Sequence, residues 1–128
     1  MFKVVLKCAG KDFNGRLTTN FDPPLKLKGQ WEVSVQHLSC GERDFKTLVL
    51  SDLADYTMVG DARMKFLDLI DTDDKNRIAA ATGTYVSVLP KQISSINIDL
   101  VRYDNQRYSW SKQKEGRDII CVLHFRKS

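Results

Sequence analysis

Nowhere in this 128-residue chain do about 18 apolar residues run together, so a membrane-crossing helix is excluded. The opening Met1-Phe-Lys-Val-Val-Leu-Lys-Cys is interrupted by lysines and lacks the apolar core of a signal peptide, so the expectation is a protein that is not secreted. Cysteine is scarce: Cys8, Cys40 and Cys121 are odd in number and far apart. That pattern fits neither a disulfide framework nor a zinc knuckle, and it predicts three reduced, partly buried thiols. Glycine-rich phosphate loops, dinucleotide fingerprints and His-Glu helix motifs are lacking, which removes the common nucleotide-dependent and metalloprotease classes. Basic clusters are missing too. The net charge is +4, but Lys and Arg are spread along the chain, so nucleic acid is an unlikely partner on charge alone.

Histidine is limited to His37 and His124. A nucleophilic enzyme needs a Ser or Cys within reach of a base, and both histidines fall in predicted strands. His124 lies in Cys121-Val-Leu-His-Phe, apolar on both faces, where a hydrogen-bonded structural histidine is expected. His37 and Cys40 are three apart but have no second ligand pair, so a zinc site is not expected. Asp71, Asp73 and Asp74 crowd oxygens as a calcium loop does. An EF-hand frame, however, needs Gly and Glu where this chain has Asn76 and Thr82. The residues therefore point to no catalytic, cofactor-binding or metal-binding set, and to a protein that is not an enzyme.

What is present is an ordinary globular balance, 42% hydrophobic and 28% charged, over a length that suits a single domain spanning 1–128. Hydrophobic periodicity is two, the period of strands. Phe2, Val4, Leu6 and Cys8 alternate with polar or exposed positions before Ala9-Gly10-Lys11-Asp12 breaks the run. Leu25 and Leu27 alternate with lysines after Pro23-Pro24, a pair confined to a strand start or edge. Trp31, Val33 and Val35 share one face opposite Glu32, Ser34 and Gln36, and Trp31 is expected in the core. Further strands are predicted over 45–50, 65–70, 85–89, 93–103 and 118–125, with loops at 71–76 and 103–106. Helical alternatives are a helix from Asp61 to Ile70 and a single turn over 76–81. Eight or so strands in one small domain predict an all-β sandwich or barrel.

Large aromatics gather near Arg102, Arg107 and Lys112, where Tyr103, Tyr108 and Trp110 follow one another. Tyr108 and Trp110 would share a strand face, which suits packing on a neighbouring subunit or stacking on bases. Arg107, Tyr108 and Trp110 are accordingly candidate subunit-interface residues. A small β-barrel nucleic-acid-binding module is the alternative.

Several segments, in order, carry a family resemblance: Phe2-Lys-Val-Val-Leu; Asn20-Phe21 with Pro24-Leu25 and Leu27-Lys28-Gly29-Gln30-Trp31-Glu32-Val33; Ser51-Asp52-Leu53 with Val59-Gly60-Asp61; Tyr85-Val86-Ser87-Val88-Leu89-Pro90; and Val122-Leu123-His124-Phe125-Arg126-Lys127. Together they resemble the penton or minor capsid proteins of Polinton-like elements, adintoviruses and related double-stranded DNA viruses. The resemblance implies a single jelly roll of about eight antiparallel strands, a capsid location in the virion, self-assembly as a pentamer at the icosahedral vertices, and contact with the major capsid protein. It also favours strand over helix for 65–70, makes Trp31 an anchor of the sandwich, and makes 119–125 the closing strand.

Overall fold

The computed structural model describes residues 1–39, 45–72, 78–80, 84–102 and 118–128. Ten strands are present: β1 (Phe2–Cys8), β2 (Arg16–Lys26), β3 (Trp31–Ser39), β4 (Phe45–Ser51), β5 (Tyr56–Val59), β6 (Ala62–Thr72), β7 (Ile78–Ala80), β8 (Val86–Ser87), β9 (Gln92–Arg102) and β10 (Ile119–Lys127). Among the described residues the one helical element is a 3-10 turn, Gly10–Asp12, where the opening strand was expected to break. The segment expected either as strand or as a helix from Asp61 is strand β6. The single helical turn considered over 76–81 is corrected: Ile78–Ala80 pairs with β3, so a sheet partner distant in sequence overrides the weak local preference.

All pairings are antiparallel and form two sheets. The first runs β1-β10-β3, with β7 and β8 both on the far side of β3; the second runs β2-β9-β4-β6-β5. Successive strands mostly change sheet, so most neighbours within a sheet are distant in sequence. Phe2–Cys8, for example, pairs with Ile119–Phe125 along its whole length.

One core fills the space between the sheets. From the first come Leu6, Val33, Val35, Leu38, Ile119, Cys121, Leu123 and Phe125; from the second come Leu17, Val49, Leu67, Ile93, Ile96, Ile98 and Leu100. Loop residues Phe13, Leu27, Leu53 and Val88 close it. In β10, expected to be apolar on both faces, burial alternates: odd-numbered residues from Ile119 to Phe125 are buried and the even-numbered ones between them only partly so. Alternation slips where the ladder does. Val122 opposes His37 and Leu123 opposes Val35, so Gln36 is an extra residue, and the resulting bulge turns both Val35 and Leu38 inward.

Trp31 is less central than expected. It is half-buried at the end of the core, packs its ring on Phe2 at 5.4 Å, and donates from Nε1 to the Lys28 carbonyl at 2.9 Å. A terminal strand position and a polar ring nitrogen together hold the indole at the rim. Phe125 is fully buried instead, stacked on Phe2 at 4.7 Å with rings 9° from parallel.

Pro23 and Pro24 sit in edge strand β2. Asn20 opposes Ser95 and Leu25 opposes Ile93, so residues 21–24 bow away from the ladder across from one residue, Ser94. There the absent proline amide hydrogen costs nothing to the sheet.

Candidate assembly surface

The interface residues predicted from sequence, Arg107, Tyr108 and Trp110, lie outside the described residues, as do Cys40, Asp73 and Asp74. Three other groups on the described surface have chemistry to weigh.

The outer face of the first sheet carries a polar row. Arg126 Nε donates to Glu32 Oε1 at 2.6 Å while its guanidinium lies 3.5 Å from the Tyr85 ring centroid. The Tyr85 hydroxyl meets His124 Nδ1 at 2.5 Å. Ser34 opposes His124 and is one residue from the Val33–Val86 pair, which sets it between His124 and Tyr85. It is only 1% exposed, and its hydroxyl has no hydrogen-bond partner among the described residues. Serine, histidine and glutamate thus gather without forming a nucleophile and base, because a triad requires a hydrogen bond from the serine to the imidazole. The row instead ties β8 across β3 to β10, and His124 has the hydrogen-bonded structural place expected of it.

The thiols point the same way. Burial pushes Cys121 up to about 12. Cys8 is also raised, chiefly by burial, with Asp12 and Asp118 adding to it. Both are free cysteines whose protonated form is favoured, the reverse of a reactive thiolate. No group of three or more His, Cys, Asp or Glu side chains among the described residues is placed to hold a metal ion. Among the described residues no helix is long and apolar enough to cross a membrane.

A hollow of about 240 Å³ opens beside β2 and β9. Its rim is committed to internal bonds. Arg16 holds Asp99 through two contacts, 2.7 and 2.9 Å, and Asp52 accepts from Asn97 at 3.2 and 3.1 Å. The Asp99 carboxylate raises the Arg16 pKa, first by hydrogen bonding and then by charge.

The third group is the β5–β6 hairpin. Its two-residue turn, Gly60-Asp61, closes the Val59–Ala62 pair, and Gly60 takes φ +59°, which a side chain would strain. Tyr56 and Met58 alternate on one face and are 52% and 60% exposed. Directly opposite stand Lys65 and Arg63. Both cations lie over the Tyr56 ring, Arg63 at 4.8 Å and Lys65 at 5.3 Å from its centroid. An exposed aromatic set among cations, the arrangement expected for the 103–112 segment that lies outside the described residues, is found here on β5 and β6. Sequence reasoning passed over it because residues 56–59 carry no inward-outward alternation. Gly60-Asp61 between two β-favouring runs was the signal that could have found it.

Comparison with known proteins gives no matching family model, no matching curated protein and no matching solved structure.

Proposed function

We propose that this chain is a structural subunit of the capsid of a double-stranded DNA virus or virus-like element, of the vertex (penton) type, working by self-assembly and by contact with a major capsid protein. The strand order carries the proposal. A jelly roll folds eight strands so that the first, eighth, third and sixth form one sheet and the second, seventh, fourth and fifth the other. With the β5 arm and the short β7 set aside, the two sheets read β1-β10-β3-β8 and β2-β9-β4-β6, an arrangement that supports the jelly-roll reading. The segment resemblance to penton proteins points to the same architecture. So does the chemistry of the described surface, where polar groups are engaged with one another rather than arranged around a cleft.

A ring of such subunits uses heterologous contacts, one surface meeting a different surface of the next copy. Light scattering on the purified chain tests this. A closed vertex ring has five times the 14.6 kDa mass of the chain. A monomer that persists at high concentration and never joins a shell would end the penton reading, and tight salt-sensitive binding of single-stranded nucleic acid would favour the barrel alternative.

A further inference from the structure

Sheet edges expose unpaired backbone groups, and proteins usually blunt them with lysine, proline, bulges or shortness. Three edges here are blunted. On β1, Lys3 and Lys7 point outward, Lys7 bonded to Asp118 at 3.0 Å. On β2, Pro23 and Pro24 interrupt the ladder. Beyond β3, the margin among the described residues is the three residues of β7 and the two of β8.

The β5 edge is different. Tyr56-Thr-Met-Val contains no charge and no proline, and Tyr56, Thr57 and Val59 favour a strand. Among the described residues nothing pairs with its outer side. Its cations stand on the neighbouring strand. Arg63 and Lys65 are held over the Tyr56 ring, and neither makes an ion pair with a described carboxylate.

We infer that the outer edge of β5 is a docking site for an acidic, extended segment of a partner protein, which adds to the sheet as a further strand. Backbone bonds to β5 supply the register, as in other strand additions. Alternate side chains of the incoming strand share the Tyr56–Met58 face. On that face carboxylates reach Arg63 and Lys65, with their methylenes lying over Met58. The cations are already gathered at the ring, so little side-chain freedom is lost on binding. Four residues of edge are too few for indiscriminate pairing, which leaves selection to the charges. The inference stands on the hairpin alone and goes beyond the capsid reading.

The test uses the full chain and a fluorescein-labelled peptide of alternating Glu and Val, followed by fluorescence anisotropy. Saturable binding is expected. It should weaken at least about tenfold, roughly 1.4 kcal/mol, in the double variant Arg63→Glu with Lys65→Glu, and comparably in Met58→Glu, whose exposed position spares the core. The β1-edge variant Lys3→Glu with Lys7→Glu should bind as wild type does. Absence of saturable binding, equal binding of a Lys-Val peptide, or equal weakening by the β1 variant would overturn the inference. An oligo-dT strand bound as tightly and lost in the same hairpin variants would overturn it in favour of nucleic acid. A wild type that forms the ring but ignores the peptide leaves the capsid proposal standing and this one refuted; a monomer that binds it does the reverse.

Discussion

Replacing Phe125 by alanine perturbs the sandwich at its most enclosed aromatic. The side chain is fully buried, lies between Phe2 of β1 and Val33 of β3 in the ladder, and stacks on the Phe2 ring at 4.7 Å. Removing a buried phenylalanine typically costs about 3–5 kcal/mol, transfer and cavity terms together. Within that loss, the ring pair accounts for roughly 0.5–1.5 kcal/mol. Trp31→Ala removes a larger side chain, but one partly exposed at the rim of the core, so its cost should be smaller, about 2 kcal/mol. Urea denaturation separates the two. At a slope of about 2 kcal/mol per molar, Phe125→Ala lowers the midpoint by roughly 1.5–2.5 M and Trp31→Ala by about 1 M. A Phe2→Ala and Phe125→Ala cycle should also show a coupling of about 1 kcal/mol. Should Trp31→Ala prove the costlier change, or the cycle show no coupling, the placement of the two aromatics is wrong.

The remaining expectations concern polar groups. Ser34→Ala should leave stability unchanged or raise it by up to about 1 kcal/mol by thermal melting, because it deletes a buried hydroxyl without a partner among the described residues. Tyr85→Phe should cost about 1 kcal/mol by losing the bond to His124 while keeping the ring beneath Arg126. Cys121 holds its proton to about pH 12 when folded, whereas its ordinary value is 9.0. The unfolded chain therefore loses this proton first as pH rises. Stability should fall by about 1.4 kcal/mol per unit across that window, and the fall should be shallower in Cys121→Ala when unfolding is followed at each pH. Asp99→Asn, at a solvent-facing ion pair with Arg16, should change the melting free energy by less than about 1 kcal/mol.

Strand character was legible because it is local. Alternation at Phe2–Cys8 and around Trp31 reports one wet and one dry face wherever those strands end up. The expected bend at Ala9–Asp12 and the edge position of Pro23-Pro24 follow from backbone chemistry carried by the residues themselves. Which sheet a strand joins is not local, since a strand with one apolar face fits either side of a sandwich equally well. The pairing of β1 with β10, more than a hundred residues apart in the chain, is therefore a property of the packed whole. Ladder slips belong to the same class: nothing in Val35-Gln36-His37-Leu38 announces that Gln36 is surplus until β10 lies beside it. Burial of Ser34 depends on Tyr85 arriving from another strand, and the rim position of Trp31 depends on where the core stops. The β5 hairpin was silent for the opposite reason, because a strand wet on both faces has no alternation to read. Its meaning comes from Arg63 and Lys65 standing across from Tyr56 and Met58, a juxtaposition that only antiparallel pairing creates.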